Sequence, residues 1–289
     1  MKTEDWQMLV ALEQTENITL AAEQLFVSQP TLTSRIQKLE QHYGVALIIR
    51  KQRGIMFTPE GELLCAHAKI QLRQEREIEE AIHHSKKQVS GTLRLGVSNF
   101  FATHKIPKLL RLFKQSYPHV EFQVVTGWSS DMYRLVLNHD VHIGFIKGDF
   151  SWKGKKQLLY EEEICIAAPW DFTLEQLPEL PRIDYRTDEQ MKQLVDSWWY
   201  RNYQKPANIN IQVNQVETCK EMILNGLGYG ILANLVVRSY PEIITLPLTL
   251  PNGETVTRAT SMYYQESTLQ LNVVKAFVEF IQTVDVKAL

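Results

Sequence analysis

Residues 21 to 44, AAEQLFVSQPTLTSRIQKLEQHYG, constrain this chain more than any other stretch. They form two short amphipathic runs hinged at Val27-Ser28, which predicts a pair of helices joined by a tight turn. The first spans Ile18 to Phe26, with Thr19 placed to cap it and Leu20, Ala21 and Leu25 turned inward. Ser28 caps the second, and Pro30 fits its first turn, where the missing N–H has no intrahelical partner. Leu32, Ile36, Leu39 and Tyr43 make a buried stripe, and Gly44 supplies a left-handed stop. Upstream, Trp6, Leu9, Val10 and Leu12 predict a supporting helix over Asp5 to Thr15.

With that stripe inward, Gln29, Thr31, Thr33, Ser34, Arg35 and Lys38 face out or flank the exposed side. Short hydrogen-bonding groups mixed with cations can reach base edges and phosphates in a major groove. A solvated helix in a three-helix bundle is the plainer alternative. Charge favours the first. Ser28 to Arg53 carries five basic residues (Arg35, Lys38, Arg50, Lys51, Arg53) against Glu40, whereas Lys2 to Glu23 carries one against five acids. The net charge of −2 excludes a DNA coater but leaves a local basic patch intact. Val45–Ile49 and Ile55–Phe57 flank Arg50-Lys51-Gln52-Arg53-Gly54, a hairpin suited to backbone or minor-groove contact, or an ordinary surface turn.

Thr58-Pro59-Glu60 opens a helix running to about Gln88, roughly 45 Å long at 1.5 Å per residue. Its apolar residues Leu63, Ala66 and Ile70, then Ile78, Ala81 and Ile82, require a partner surface. Val89-Ser90-Gly91 marks a break. Beyond it strands and helices alternate, first as βαβαβ through TLRLGVS, VEFQVVTG and VHIGFIKGD, then as a second set through EEEICIAAP, INIQVNQV and GYGILAN. The last helix is placed at Leu269 to Thr283.

Ligands of open α/β sheets lie outside the carboxyl ends of strands, against helix N-termini. That points to Ser98, Asn99 and Phe100, to Thr126, Trp128 and Ser129, to Lys147, and to Val216 opposite. Hydroxyls, free N–H groups and the Lys147 charge suit a carboxylate or other small anion. The alternative is that Ser129 only caps its helix and Lys147 is solvated.

At 289 residues with 22% charged positions, two or three soluble domains are expected. No run of 18 apolar residues appears, and the acidic start MKTEDWQMLV lacks a signal core, so a cytoplasmic protein without membrane contact is expected. Cys65, Cys165 and Cys219 are far apart, as befits reduced thiols. Cys219 near a helix start could sense oxidants or simply pack. His83-His84 and His139 with His142 make poor metal pairs. Glu161-Glu162-Glu163 reads as a solvated strand entrance, and Trp198-Trp199-Tyr200 as core plus one exposed ring. No catalytic set, metal site, P-loop or dinucleotide motif is found, so neither enzyme activity nor a cofactor is expected.

LAAEQLFVSQPTLTSRIQKLEQHYGVALIIR followed by FTPEGELL resembles the winged helix-turn-helix of LysR-type transcriptional regulators. Ala21-Ala22, Leu25, Ser28-Gln29-Pro30, Ile36, Leu39-Glu40, Gly44, Leu47, Arg50, Thr58 and Gly61 all match. IPKLLRLFKQSYPHVEFQV and ILNGLGYGIL resemble the family's periplasmic-binding-protein-like effector domain. Departures are Thr33-Ser34-Arg35 for the family's Ser-Arg-Gln, Ile48 for Phe, His142 for Asp and Ala233 for Pro. The resemblance implies a multidomain α+β chain. A winged helix-turn-helix would occupy 1–58, a dimerising linker helix 59–90 and a two-lobed α/β effector domain 91–289. Lobe I would take about 91–164 and 262–289, lobe II about 165–261. Gln29, Pro30, Thr31, Thr33, Ser34 and Arg35 would read bases; Lys38, Arg50, Lys51 and Arg53 would hold phosphates or the minor groove. Double-stranded promoter DNA, a small-molecule effector, further copies of the chain in a homodimer or homotetramer, and RNA polymerase are the implied partners. A solute-binding module or enzyme would explain residues 91–289 equally, but leaves the 21–61 motif without a purpose.

Overall fold

The computed structural model describes residues 1–83 and 89–289, without the side chains of 77 and 80–83. The chain divides into two compact units, Met1–Lys87 and Gln88–Leu289. The His83-His84 pair, the Ala81 and Ile82 side chains and the helix end near Gln88 lie outside the described residues.

In the first unit α1 (Thr3–Thr15), α2 (Ile18–Gln24) and α3 (Gln29–Tyr43) enclose a core of Met8, Leu9, Leu12, Ala21, Ala22, Leu32, Ile36 and Leu39. Asn17, not Thr19, caps α2: its extended backbone lets Oδ1 accept the N–H groups of Thr19 at 2.9 Å and Leu20 at 3.2 Å. Leu20 therefore turns out to solvent, half-exposed, and Ala22 takes the core position expected of it. Ser28 caps α3 and Gly44 ends it at φ 69°. Tyr43, whose hydroxyl donates to Met1 Sδ at 2.9 Å, is 44% exposed instead of closing the stripe.

A hairpin of β1 (Ile48–Arg50) and β2 (Ile55–Phe57) follows, then α4 (Pro59–His83). Thr58 caps α4, its Oγ1 accepting the Gly61 N–H at 3.0 Å and donating to the Ala46 carbonyl at 2.7 Å. Cys65 and Ala68 pack α4 into the core, while Leu63, Ile70 and Ile78 remain exposed on it. The long helix thus has a second apolar face that its own unit leaves uncovered.

The second unit begins β3 (Gly91–Ser98), α5 (Asn99–His104), α6 (Ile106–Ser116), β4 (Val120–Gly127), α7 (Ser129–Leu137) and β5 (Ile143–Lys147). β3 pairs in parallel with β4 and β5, the expected βαβαβ arrangement. β6 (Lys155–Ala168) leads to β7 (Arg182–Tyr185), α8 (Glu189–Asn202), β8 (Ile209–Val213), α9 (Val216–Leu224), β9 (Gly230–Ala233) and β10 (Ile244–Pro247). The chain returns through β11 (Thr257–Tyr264) and ends in α10 (Asn272–Gln282).

One sheet runs β10-β6-β11-β5-β3-β4, with β9 also on β6; β7 pairs with β8 apart from it. The long strands β6 and β11 are antiparallel neighbours, and β6 serves two cores. One core lies around Leu95, Phe113, Phe145 and Phe277, the other around Ile164, Trp198, Trp199 and Tyr229. Neither α5 nor β11 was expected from the pattern. TRATSMYY mixes polar and apolar residues, and the polar Thr260 and Ser261 are buried in it. At the start of β5 the buried His142 replaces a carboxylate by pairing both ways with Arg94: its backbone N–H donates to the Arg94 carbonyl at 2.9 Å, and its Nδ1 accepts the Arg94 N–H at 3.1 Å.

Candidate functional site

Two surfaces carry the candidate residues, one in each unit. On the first, Gln29, Pro30, Thr31, Ser34 and Lys38 are exposed along α3, with Thr33 and Arg35 half-buried beside them. Gln29 Nε2 donates to Thr33 Oγ1 at 3.1 Å, and an Arg35 Nη lies 3.8 Å from the Glu4 carboxylate of α1. Arg35 is thus loosely tethered where the sequence suggests a free cation. Arg50, Lys51 and Arg53 stand exposed around the hairpin tip, and among the described residues these three and Lys38 have no ion-pair partner.

The hairpin is fixed relative to the helix. Glu40 on α3 accepts the N–H groups of Leu47 at 2.9 Å and Ile48 at 3.4 Å, and the Ile55 N–H donates to the Glu16 carbonyl at 2.8 Å. Helix face and basic tip are thereby held together as one polar surface, on which Lys38, Arg50, Lys51 and Arg53 are unpaired among the described residues.

On the second unit, Ser98, Asn99, Phe100, Thr126, Trp128, Ser129, Lys147 and Val216 come together on one cavity of about 690 Å³. The ends of β3, β4 and β5 and the starts of α7 and α9 deliver them, as strand-end geometry requires. Ser129 is buried; instead of capping α7, its Oγ accepts the Lys147 backbone N–H at 3.1 Å. Nor is Lys147 a free cation. Its ammonium is ion-paired with Glu162 and sits 5.3 Å from the centre of the Phe100 ring. Glu162 in turn is no solvated strand entrance: alternation along β6 turns Glu161 and Glu163 outward and buries Glu162.

The wall also holds groups the sequence did not single out. Arg258 on β11 makes a two-pronged bond to Asp188, at 2.9 and 3.0 Å, and Asp188 caps α8 through the Met191 N–H at 2.9 Å. Arg186 lies 5.5 Å over the Trp128 ring. At the rim His104 is 3.4 Å from Glu217. Tyr185, Asn214 and Gln215 complete the far side. No spacing signal marks these residues, since their neighbours come from distant strands.

Other candidates fall away. Cys219 is fully buried, and burial, with Asp184 nearby, pushes its thiol up to about 12, which makes it a poor oxidant sensor. Trp198 and Trp199 are core and Tyr200 is exposed. Among the described residues no group of three or more His, Cys, Asp or Glu could hold a metal. Among them, too, no helix is long and apolar enough to cross a membrane.

A winged helix-turn-helix and a two-lobed α/β unit with a polar cavity define a DNA-binding protein that carries a ligand-binding module. Comparison with known proteins gives the family. Residues 3–62 match the model of the bacterial regulatory helix-turn-helix protein, lysR family, and residues 86–285 that of the LysR substrate binding domain. The chain is 38% identical over 282 residues to the uncharacterized HTH-type transcriptional regulator YraN of Bacillus subtilis (strain 168), covering 98% of each. It is 34% identical over 285 residues to YkuM of the same organism, covering 98% of this chain and 97% of that one. A full-length OxyR variant of Pseudomonas aeruginosa shares the fold with a TM-score of 0.68 at 20% identity, over 99% of this chain and 96% of that one. Full-length CbnR, solved in complex with its target DNA, does so with a TM-score of 0.68 at 18% identity, over 98% and 99%. The chain belongs to the LysR family: it is a DNA-binding transcriptional regulator with a helix-turn-helix domain and an effector-binding domain.

Proposed function

We propose that α3 and the hairpin read an operator, and that a small molecule bearing a carboxylate or other anionic group, held in the 690 Å³ cavity, controls the response. The observation that carries this is the convergence of eight strand-end and helix-start residues on one cavity, in a chain whose other unit presents four exposed basic residues that are unpaired among the described residues. Gln29, Pro30, Thr31, Thr33, Ser34 and Arg35 would contact base edges, and Lys38, Arg50, Lys51 and Arg53 the backbone or minor groove. Ser98, Asn99, Thr126 and Ser129, with the N–H groups at the start of α7, would hold the anion, and Phe100, Trp128 and Val216 its apolar body. Lys147 would add charge.

The uncovered apolar face of α4 (Leu63, Ile70, Ile78) supports pairing with a second copy, in a homodimer or homotetramer. Such an assembly would act on promoters in the cytoplasm together with RNA polymerase, and would bind its effector without turning it over. The effector must favour one arrangement of the assembly over another.

Ser129→Trp tests the division of labour. It should fill the cavity, abolish the effector response of a reporter and leave operator affinity within twofold. A retained response removes the cavity from the mechanism.

A further inference from the structure

Along the back of the cavity runs a row of four charges of alternating sign. Lys147 ends β5, Glu162 lies on β6, Arg258 on β11 and Asp188 at the start of α8. Strand register sets the row: Arg258 is directly opposite Glu162, and Lys147 is opposite Thr260, which is itself opposite Tyr160. Their side chains are 15%, 1%, 5% and 17% exposed in that order, so the whole row is screened from water.

The two pairs are not equally well made. Arg258 and Asp188 share two hydrogen bonds, and Asp188 gains a third from Met191. Among the described residues Glu162 has the Lys147 ammonium as its one ion-pair partner, with the Lys105 charge acting from further off, and neither of its oxygens accepts a hydrogen bond from any other group. A buried carboxylate carries four acceptor sites, and one satisfied by a single ammonium is poorly solvated. Lys147 also has its open side toward the cavity and its own N–H on Ser129. The weak member of the row therefore meets the place where an incoming anion would arrive.

We infer that Glu162 is an internal counter-ion, which occupies Lys147 while the cavity is empty and competes with the anionic group of the effector for it. This rests on the cavity being the effector site, and it refines the ligand class. A bare anion gains little, because Lys147 is already neutralised. The effector is a small carboxylate, or an anion of similar size, whose other contacts let it displace a tethered rival. Displacement has a consequence built into the register. Glu162, freed from Lys147, faces Arg258 and draws on the residue that holds Asp188 and the start of α8. An anion on the β3–β5 side of the cavity is thereby felt on its far side.

The test uses the full-length protein with butyrate as probe, titrated calorimetrically at constant ionic strength with chloride as the reference. Glu162→Gln, which keeps the side chain's shape, should bind butyrate about tenfold more tightly than the parent. Lys147→Met added to Glu162→Gln should remove that gain. Glu162→Asp, which retains the charge but shortens its reach, should give a smaller gain in the same direction, and serves if the glutamine variant folds poorly. Ser129→Trp reports on the cavity itself. If butyrate binding is blocked by Ser129→Trp yet is equal in the parent and both Glu162 variants, the counter-ion role is overturned and the cavity stands. If binding survives Ser129→Trp, the cavity is not an anion site and the inference falls with it; if the folded Glu162 variants bind no butyrate while the parent does, Glu162 supports the anion and does not rival it, and the counter-ion role is overturned.

Discussion

Gly61 sits where α4 meets the hairpin so closely that a β-carbon there would lie 2.1 Å from the Leu47 carbonyl oxygen and 2.6 Å from the Phe57 ring. Neither neighbour can yield cheaply, since one is backbone and the other half-buried in the core. Gly61→Ala should therefore destabilise the first unit by about 1–3 kcal/mol, seen as a lower melting temperature. Leu63→Ala on the exposed side of the same helix should stay within roughly 0.5 kcal/mol of the parent in a monomeric sample.

The thiols make a second prediction at this scale. Burial pushes Cys165 and Cys219 from 9.0 up to about 12, and burial with Glu13 alongside pushes Cys65 to about 11. Raised folded values favour the neutral thiols, so their contribution is complete below about pH 9 and is lost as pH climbs through 11 to 12. Alkaline titration should lower the melting temperature over that window, and an alkylating agent at pH 8 should label these cysteines only once the chain unfolds.

Among elements, α3 is the one proposed to read DNA, and its two kinds of polar residue should separate experimentally. Arg35→Ala should weaken binding to a selected operator by about 1–3 kcal/mol while barely affecting random DNA, if the guanidinium leaves Glu4 for a base. Lys38→Ala should weaken both alike and reduce the logarithmic salt slope by about one, as for a phosphate contact. Parallel titrations on the two DNAs distinguish these outcomes.

How much of this was legible in the sequence depended on distance along the chain. Ser28, Gly44 and the Leu32–Ile36–Leu39 stripe act on neighbours within a turn or two, so residue spacing exposes them. Asn17 was missed because two residues, Asn17 and Thr19, could cap the same helix and only the backbone at residue 17 decides between them. The Lys147–Glu162 and Arg258–Asp188 pairs could not be read at all, because the fold brings them together from β5, β6, β11 and the start of α8, the second pair across 70 positions of chain. The cavity positions were legible for the opposite reason: any parallel strand followed by a helix points its junction the same way.

For the whole molecule, the buried charge row proposed to meet the effector should also contribute to stability. Asp188→Ala strips the buried Arg258 of both its carboxylate hydrogen bonds and removes the α8 cap, so a loss of about 3 kcal/mol is expected, read as an early unfolding transition of the second unit. The DNA-binding unit, with a core of its own, should melt where it did before.

If one chain joins a specific DNA reader to a ligand-gated module, the reader should show itself in a selection of sheared genomic DNA by the purified protein. At near-physiological salt, a few enriched sites sharing a two-fold-related motif with half-sites about 34 Å apart are expected, lost in Arg35→Ala and kept in Ser129→Trp. Uniform binding that salt erases, or enrichment indifferent to Arg35, would contradict it.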